Sequence, residues 1–155
     1  IKKNKCSNIE VFPFGLGLKK ETLSLFFNRE FSGRASLKKK NLSLLEEGYD
    51  EVLEIEIIGS KEFDNIFADL GSSKILIKID VEGYEKEVLE MLSQTNTIKN
   101  CVSIFFEYEK RFSDLEDLQK LLERMNFNLA RYYEAGEGHG DFLYIKDGSK
   151  INLLA

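Results

Sequence analysis

The chain has 155 residues with 43% hydrophobic and 32% charged side chains, enough for one domain with a real core. A net charge of -5 excludes a protein that binds nucleic acid through a broad basic surface. No run reaches the ~20 apolar residues of a spanning helix, so no membrane association is expected.

In chain order, Ile9 to Phe14 alternates and reads as a strand, with Pro13 limiting its pairing and Gly15 and Gly17 ending it. Lys19-Lys20-Glu21 is a turn, and Thr22 to Phe27 a second strand. Ser32 to Asn41 is polar and loop-like, and the lysines at 38, 39 and 40 read as its solvated part. Val52 to Ile58 alternates as a third strand. Lys61 to Leu70 has helical spacing of Phe63, Ile66, Phe67 and Leu70, with Ser60 as N-cap and Gly71 as C-cap. Lys74 to Ile79 is nearly all apolar and reads as a strand covered on both faces. A helix follows with Tyr84, Val88, Leu89, Met91 and Leu92 as its apolar stripe. Val102 to Phe106 is another core strand, ending in Glu107. Ser113-Asp114-Leu115-Glu116 reads as a capping box with Ser113 as cap. The helix it opens carries Leu115, Leu118, Leu121, Leu122 and Met125. Phe127 to Tyr133 and Asp141 to Lys146 form a closing hairpin around Gly136-Glu137-Gly138-His139-Gly140.

This order predicts an α/β fold, mostly a parallel sheet with an antiparallel edge hairpin. In open α/β sheets, ligands bind beyond the carboxyl ends of the strands. Asp80, Glu82 and Glu107 stand at such ends. Asp80 and Glu82 are two apart and would point the same way in an extended segment. Gly83 permits a tight turn into the helix and close approach by a ligand. A desolvated Asp80 beside a second acid would take a proton near neutral pH, or would hold a cationic group or a metal. Glu82 and Glu85 also suit the first turn of a helix. Cys6 and Cys101 lack the paired spacing of a zinc site. Cys101 reads as a small buried hydrophobe, and a reduced, cytoplasmic setting is the default.

Ile77-Lys78-Ile79-Asp80-Val81-Glu82-Gly83-Tyr84-Glu85, with Val88-Leu89 after it, resembles the signature of the FkbM family. These are S-adenosylmethionine-dependent methyltransferases with the class I Rossmann-like fold. The resemblance extends to Val11–Leu18, Thr22–Phe27, Gly33–Leu37, Ile104–Glu107, Leu121–Phe127 and Asp141–Ile145. It departs at Gly15, where Ala is usual, and at Asn126, where Gly is usual. It implies O-methylation of a hydroxyl on a sugar or related small molecule. It further implies Gly15 and Leu16 beside the adenine, and Asp80 at the junction of donor and acceptor, orienting the donor or acting as base. Glu82 and Glu107 would hydrogen-bond acceptor hydroxyls, with Glu82 the second candidate beside Asp80 for the chemistry. His139, the only histidine, sits in the Gly-rich loop near the strand ends and would contact the acceptor or act as base.

Neither the family's glycine-rich donor turn nor its ribose-binding acid is legible. Gly15-Leu16-Gly17-Leu18 is followed by Lys20, and no strand–helix–strand unit surrounds it. The expectation is therefore a C-terminal part of the fold, lacking the first two strands and their helices, about 70 residues by the usual size of such units. Two other readings stay open: an inactive remnant that binds a substrate or partner, and a Mg²⁺-dependent enzyme using the acids as ligands.

Overall fold

A computed structural model of the chain describes residues 6–30, 35–38 and 51–149. Among these, seven strands and three α-helices form two mixed sheets. The expected strand over residues 9–14 is not formed. Only β1 (Gly15–Leu16) is extended and paired, parallel to β3 (Glu51–Ile58). Pro13 has no N–H to donate to a ladder, and the side chains of Ile9 and Val11 are exposed. β2 (Glu21–Phe27) pairs antiparallel with β3, giving the order β1-β3-β2. Of the polar segment after β2, only residues 35–38 are described. Ser36 bridges back to Phe26, with both backbone hydrogen bonds at 2.9–3.0 Å. The lysines at 39 and 40 lie outside the described residues. Lys38 is not simply solvated, because its ammonium pairs with Glu87 at 2.7 Å.

Helix α1 (Ser60–Ile66) starts one residue earlier than the spacing suggested. Gly59 is the cap, and its N–H donates to Glu62 Oε2 at 3.2 Å. A 3₁₀ turn (Ala68–Leu70) continues it and ends at Gly71, whose φ of 52° is the left-handed stop that glycine permits.

The second sheet runs β4-β5-β7-β6, comprising β4 (Ile75–Ile79), β5 (Cys101–Glu109), β6 (Phe127–Gly136) and β7 (His139–Lys146). Only β4 and β5 are parallel; β5–β7 and β6–β7 are antiparallel. The expected edge hairpin is therefore formed, but parallel pairing is confined to β1–β3 and β4–β5. Helices α2 (Glu85–Ser93) and α3 (Leu115–Arg124) cover one face of this sheet. Their stripes (Val88, Leu89, Met91, Leu92, Leu118, Leu122) meet Ile104, Phe106, Phe142 and Tyr144 in one buried cluster. At α3 the cap is Asp114, not Ser113: its carboxylate accepts from the Glu116 N–H at 2.9 Å.

β4 departs from expectation most. It is the outer strand of its sheet, and Leu76 is 72% exposed. The apolar run is not covered on both faces. No helix among the described residues is long and apolar enough to cross a membrane.

Candidate functional site

The ladder decides which side chains meet at the end of β4. Register pairs Lys78 with Phe105, Phe105 with Leu143, and Glu107 with Asp141. With a period of two, Glu107 and Glu109 share that face, opposite the helix-covered side carrying Phe106 and Tyr108. His139 lies directly across from Glu109 and one step diagonal to Glu107. Its Nε2 is 2.6 Å from Glu107 Oε1. Glu107 does not end its strand; β5 continues to Glu109.

The motif itself does not stay extended. β4 ends at Ile79, and Glu82 and Gly83 both have positive φ, 46° and 91°. Gly83 takes this conformation freely, while a side chain such as that of Glu82 does so at a cost of roughly 1–2 kcal/mol. Ser36 helps hold it: its buried hydroxyl donates to the Glu82 carbonyl at 3.0 Å. The two-residue spacing therefore does not align Asp80 and Glu82. The turn brings them together instead, since both line one small cavity with Glu85, Glu107, Glu109 and Phe112.

Asp80 is not desolvated. Its side chain is 44% exposed, and Oδ2 accepts from Lys78 Nζ at 2.6 Å. The cause is the outer position of β4, which leaves the strand end open to water. The desolvated acids are its neighbours. Burial pushes the Glu82 carboxyl up, and the charges of Glu109, Glu107, Asp80 and Glu85 push it further. Burial also raises Glu85, against the lowering effect of the N–H groups of Gly83 and Glu85 and of the Lys38 charge. Glu85 is 4% exposed. Its Oε1 accepts from Gly83 N–H at 2.9 Å, and its Oε2 is buried without a hydrogen-bond partner.

On the other side of Asp80 lies a cavity of about 410 Å³. Gly15, Leu16 and Asp80 all line it, with Phe14, Phe63 and Tyr84 among its aromatic walls. The size suits a small-molecule site. A Cβ on Gly15 would lie 2.6 Å from Ile57 Cδ1, so an alanine there requires Ile57 to turn aside. Ala35 and Leu37, from the segment that reads as a plain loop, also line the cavity. His139 opens onto a different, polar space of about 540 Å³ with Glu109, Lys110 and Arg111.

The family model for the methyltransferase FkbM domain matches residues 1–129. The chain belongs to the FkbM methyltransferase family. The matched part of this FkbM domain includes Gly15, Leu16, Asp80, Glu82 and Glu107 and stops within β6, so His139 lies beyond it. No curated protein and no solved structure matches the chain.

Two further acids line the site of this FkbM domain: Glu85, which reads from the sequence as a first-turn helix acid, and Glu109. The alternation Glu107-Tyr108-Glu109 was a readable signal, because it places both acids on one face of a strand. The burial of Glu85 had no such signal: an acid at the first turn of a helix is usually at the surface.

Proposed function

We infer that the protein is an S-adenosylmethionine-dependent O-methyltransferase, acting on a hydroxyl of a sugar or related small molecule. The observation that carries this reading is the cavity shared by Gly15, Leu16 and Asp80, at the carboxyl end of β4 in an FkbM domain. Its apolar and aromatic lining fits the adenine of the methyl donor. No repeated-glycine turn joining a strand to a helix stands among the described residues to receive the donor's other polar groups. Gly15, Leu16 and the walls from Phe14, Phe63 and Tyr84 would hold the base, with Asp80 at the far end. When bound, the donor supplies an electrophilic methyl group on a cationic sulfur.

The chain's own residues then have separate tasks. Asp80 lines both the apolar cavity and the acidic one, which supports a role for it beside the transferred methyl. Lys78 occupies Asp80 Oδ2, which leaves Oδ1 for a substrate hydroxyl. Glu82 binds a proton more readily than an ordinary glutamate because it is desolvated among like charges. It is suited to take the hydroxyl proton as the acceptor oxygen becomes a nucleophile. Glu107 and His139, held together at 2.6 Å, offer a free carboxylate oxygen and, in the neutral ring whose Nε2–H faces Glu107, the Nδ1 lone pair as acceptors for neighbouring hydroxyls. Alignment of the acceptor oxygen by these groups supplies the proximity term.

The test is transfer of a labelled methyl group to a panel of hydroxyl acceptors. Asp80→Asn should lower turnover by about 10²–10⁴-fold while the protein stays folded. Near-normal turnover in that variant would remove Asp80 from the chemistry. A non-catalytic binding role is the second reading, favoured by the lack of a glycine-rich cradle among the described residues. It predicts donor binding too weak to measure together with retained acceptor binding.

A further inference from the structure

The acidic end of the sheet holds more carboxylate than methyl transfer requires. Glu107 and Glu109 project from one face of β5, and His139 stands opposite them on β7. One donor atom from each of the three lies within 4.8 Å of the other two. Donors bound to a single ion at ~2.1 Å would be about 3.0–3.4 Å apart, so modest side-chain rotations close the set. All three residues are partly exposed, so water can complete the coordination. Their strands are hydrogen-bonded neighbours, which makes the positions rigid.

A second observation, in a cavity that Glu107 and Glu109 also line, points to a cation as well. Glu85 is almost fully buried and presents an oxygen with no donor. It lines a cavity of about 10 Å³ with Asp80, Glu82, Glu107, Glu109 and Phe112. That volume suits one water-sized occupant. A buried carboxylate oxygen left without a donor is costly, and here four more acids surround the same space. Three nearby cations are already engaged. Arg111 Nε donates to Glu109 Oε2, Lys78 pairs with Asp80, and Lys38 pairs with Glu87.

We propose that Glu107, Glu109 and His139 bind a divalent cation, whose charge compensates the partnerless Glu85 oxygen and the acids around that cavity. Two carboxylates and one imidazole suit Mn²⁺, Fe²⁺ or Zn²⁺ better than Ca²⁺ or Mg²⁺. Arg111 holds Glu109 Oε2, so Oε1 is the oxygen available to the ion. His139 coordinates through Nε2, the atom now against Glu107. The proposal stands on this geometry and does not depend on methyl transfer.

Chelator-treated protein is titrated with Mn²⁺ and the free ion is followed by electron paramagnetic resonance, with no methyl donor present. One ion per chain is expected, with Kd of about 1–100 μM. Glu109→Gln and His139→Gln should each weaken binding at least ~10-fold, and Glu134→Gln should leave it unchanged. Echo modulation from an imidazole nitrogen should appear on the bound Mn²⁺ of the unaltered protein. Three results would overturn the proposal: no binding at ~1 mM Mn²⁺, equal affinity in the folded Glu109 and His139 variants, or bound Mn²⁺ without the nitrogen signal. The last applies even where a variant fails to fold.

Discussion

Replacing Glu85 by glutamine is a sharp perturbation of the acidic cavity. Glu85 is 4% exposed; Gly83 N–H satisfies Oε1, and Oε2 is buried with no partner. Glutamine keeps an acceptor for Gly83 and puts an NH₂ group where the orphaned oxygen stands. That group faces Glu82, Glu107 and Glu109, all of which accept. Burial is the first cause holding the Glu85 carboxyl above its ordinary value of 4.5. A raised folded value means that folding favours the protonated form. The stabilisation is fully present below the unfolded value and is lost as pH rises through the folded one. The folded state therefore disfavours the ionised form. Relieving one unsatisfied buried polar atom is worth about 1–3 kcal/mol. Each kcal/mol moves Tm by about 2–4 °C in a domain of this size. Glu85→Gln should accordingly raise Tm at pH 7, by roughly 2–12 °C overall. Melts in chelator between pH 5 and 8 supply the assay. The parent protein should lose stability with rising pH more steeply than the variant. A variant less stable at pH 7, or one with the parent's pH slope, would refute the reasoning.

Other perturbations separate the remaining parts. Leu76→Thr should change stability by less than ~0.5 kcal/mol in urea unfolding, because the side chain is 72% exposed on the outer strand. Leu118→Ala, at a fully buried position against the sheet, should cost about 2–5 kcal/mol in the same assay. The Cys101 thiol is buried and pushed up to about 11, so it should stay unreactive toward a disulfide reagent at pH 8 until the protein unfolds. Gly138→Ala should lower Tm, because φ is +74° and the new Cβ would lie 2.9 Å from Lys110 Cβ.

The periodic elements were legible and the junctions were not. β2, β3, α2, α3 and the hairpin follow their apolar patterns; burial of one face accompanies that pattern in α2, α3 and β7, whereas β6 is exposed after Phe127. Residues 9–14 alternate equally well yet form no strand, since pairing needs a partner and Pro13 offers no N–H. The same limit applies to β4. Its composition signals burial, but exposure depends on which strand lies beside it, and no local pattern records that. At the site, Asp80, Glu82 and Glu107 are read from the sequence as strand-end acids and Gly15 and Leu16 from the family resemblance; Asp80 does follow β4 directly, but Glu82 lies in the turn beyond it and Glu107 lies inside β5. The environments of the acids were not legible. Asp80 is solvated because its strand is outermost, whereas Glu82 and Glu85 are desolvated by a turn with two consecutive positive φ angles. The contact between His139 and Glu107 joins residues 32 apart and follows from the β5–β7 register.

The central claim is that the cavity bounded by Gly15, Leu16 and Asp80 receives the methyl donor. Isothermal titration with S-adenosylmethionine tests it most directly, comparing the parent protein with Leu16→Trp, which fills the cavity from its wall. Stoichiometric binding that is lost in the folded variant is the predicted result. Absence of binding in the parent, or equal binding in both proteins, would contradict the account.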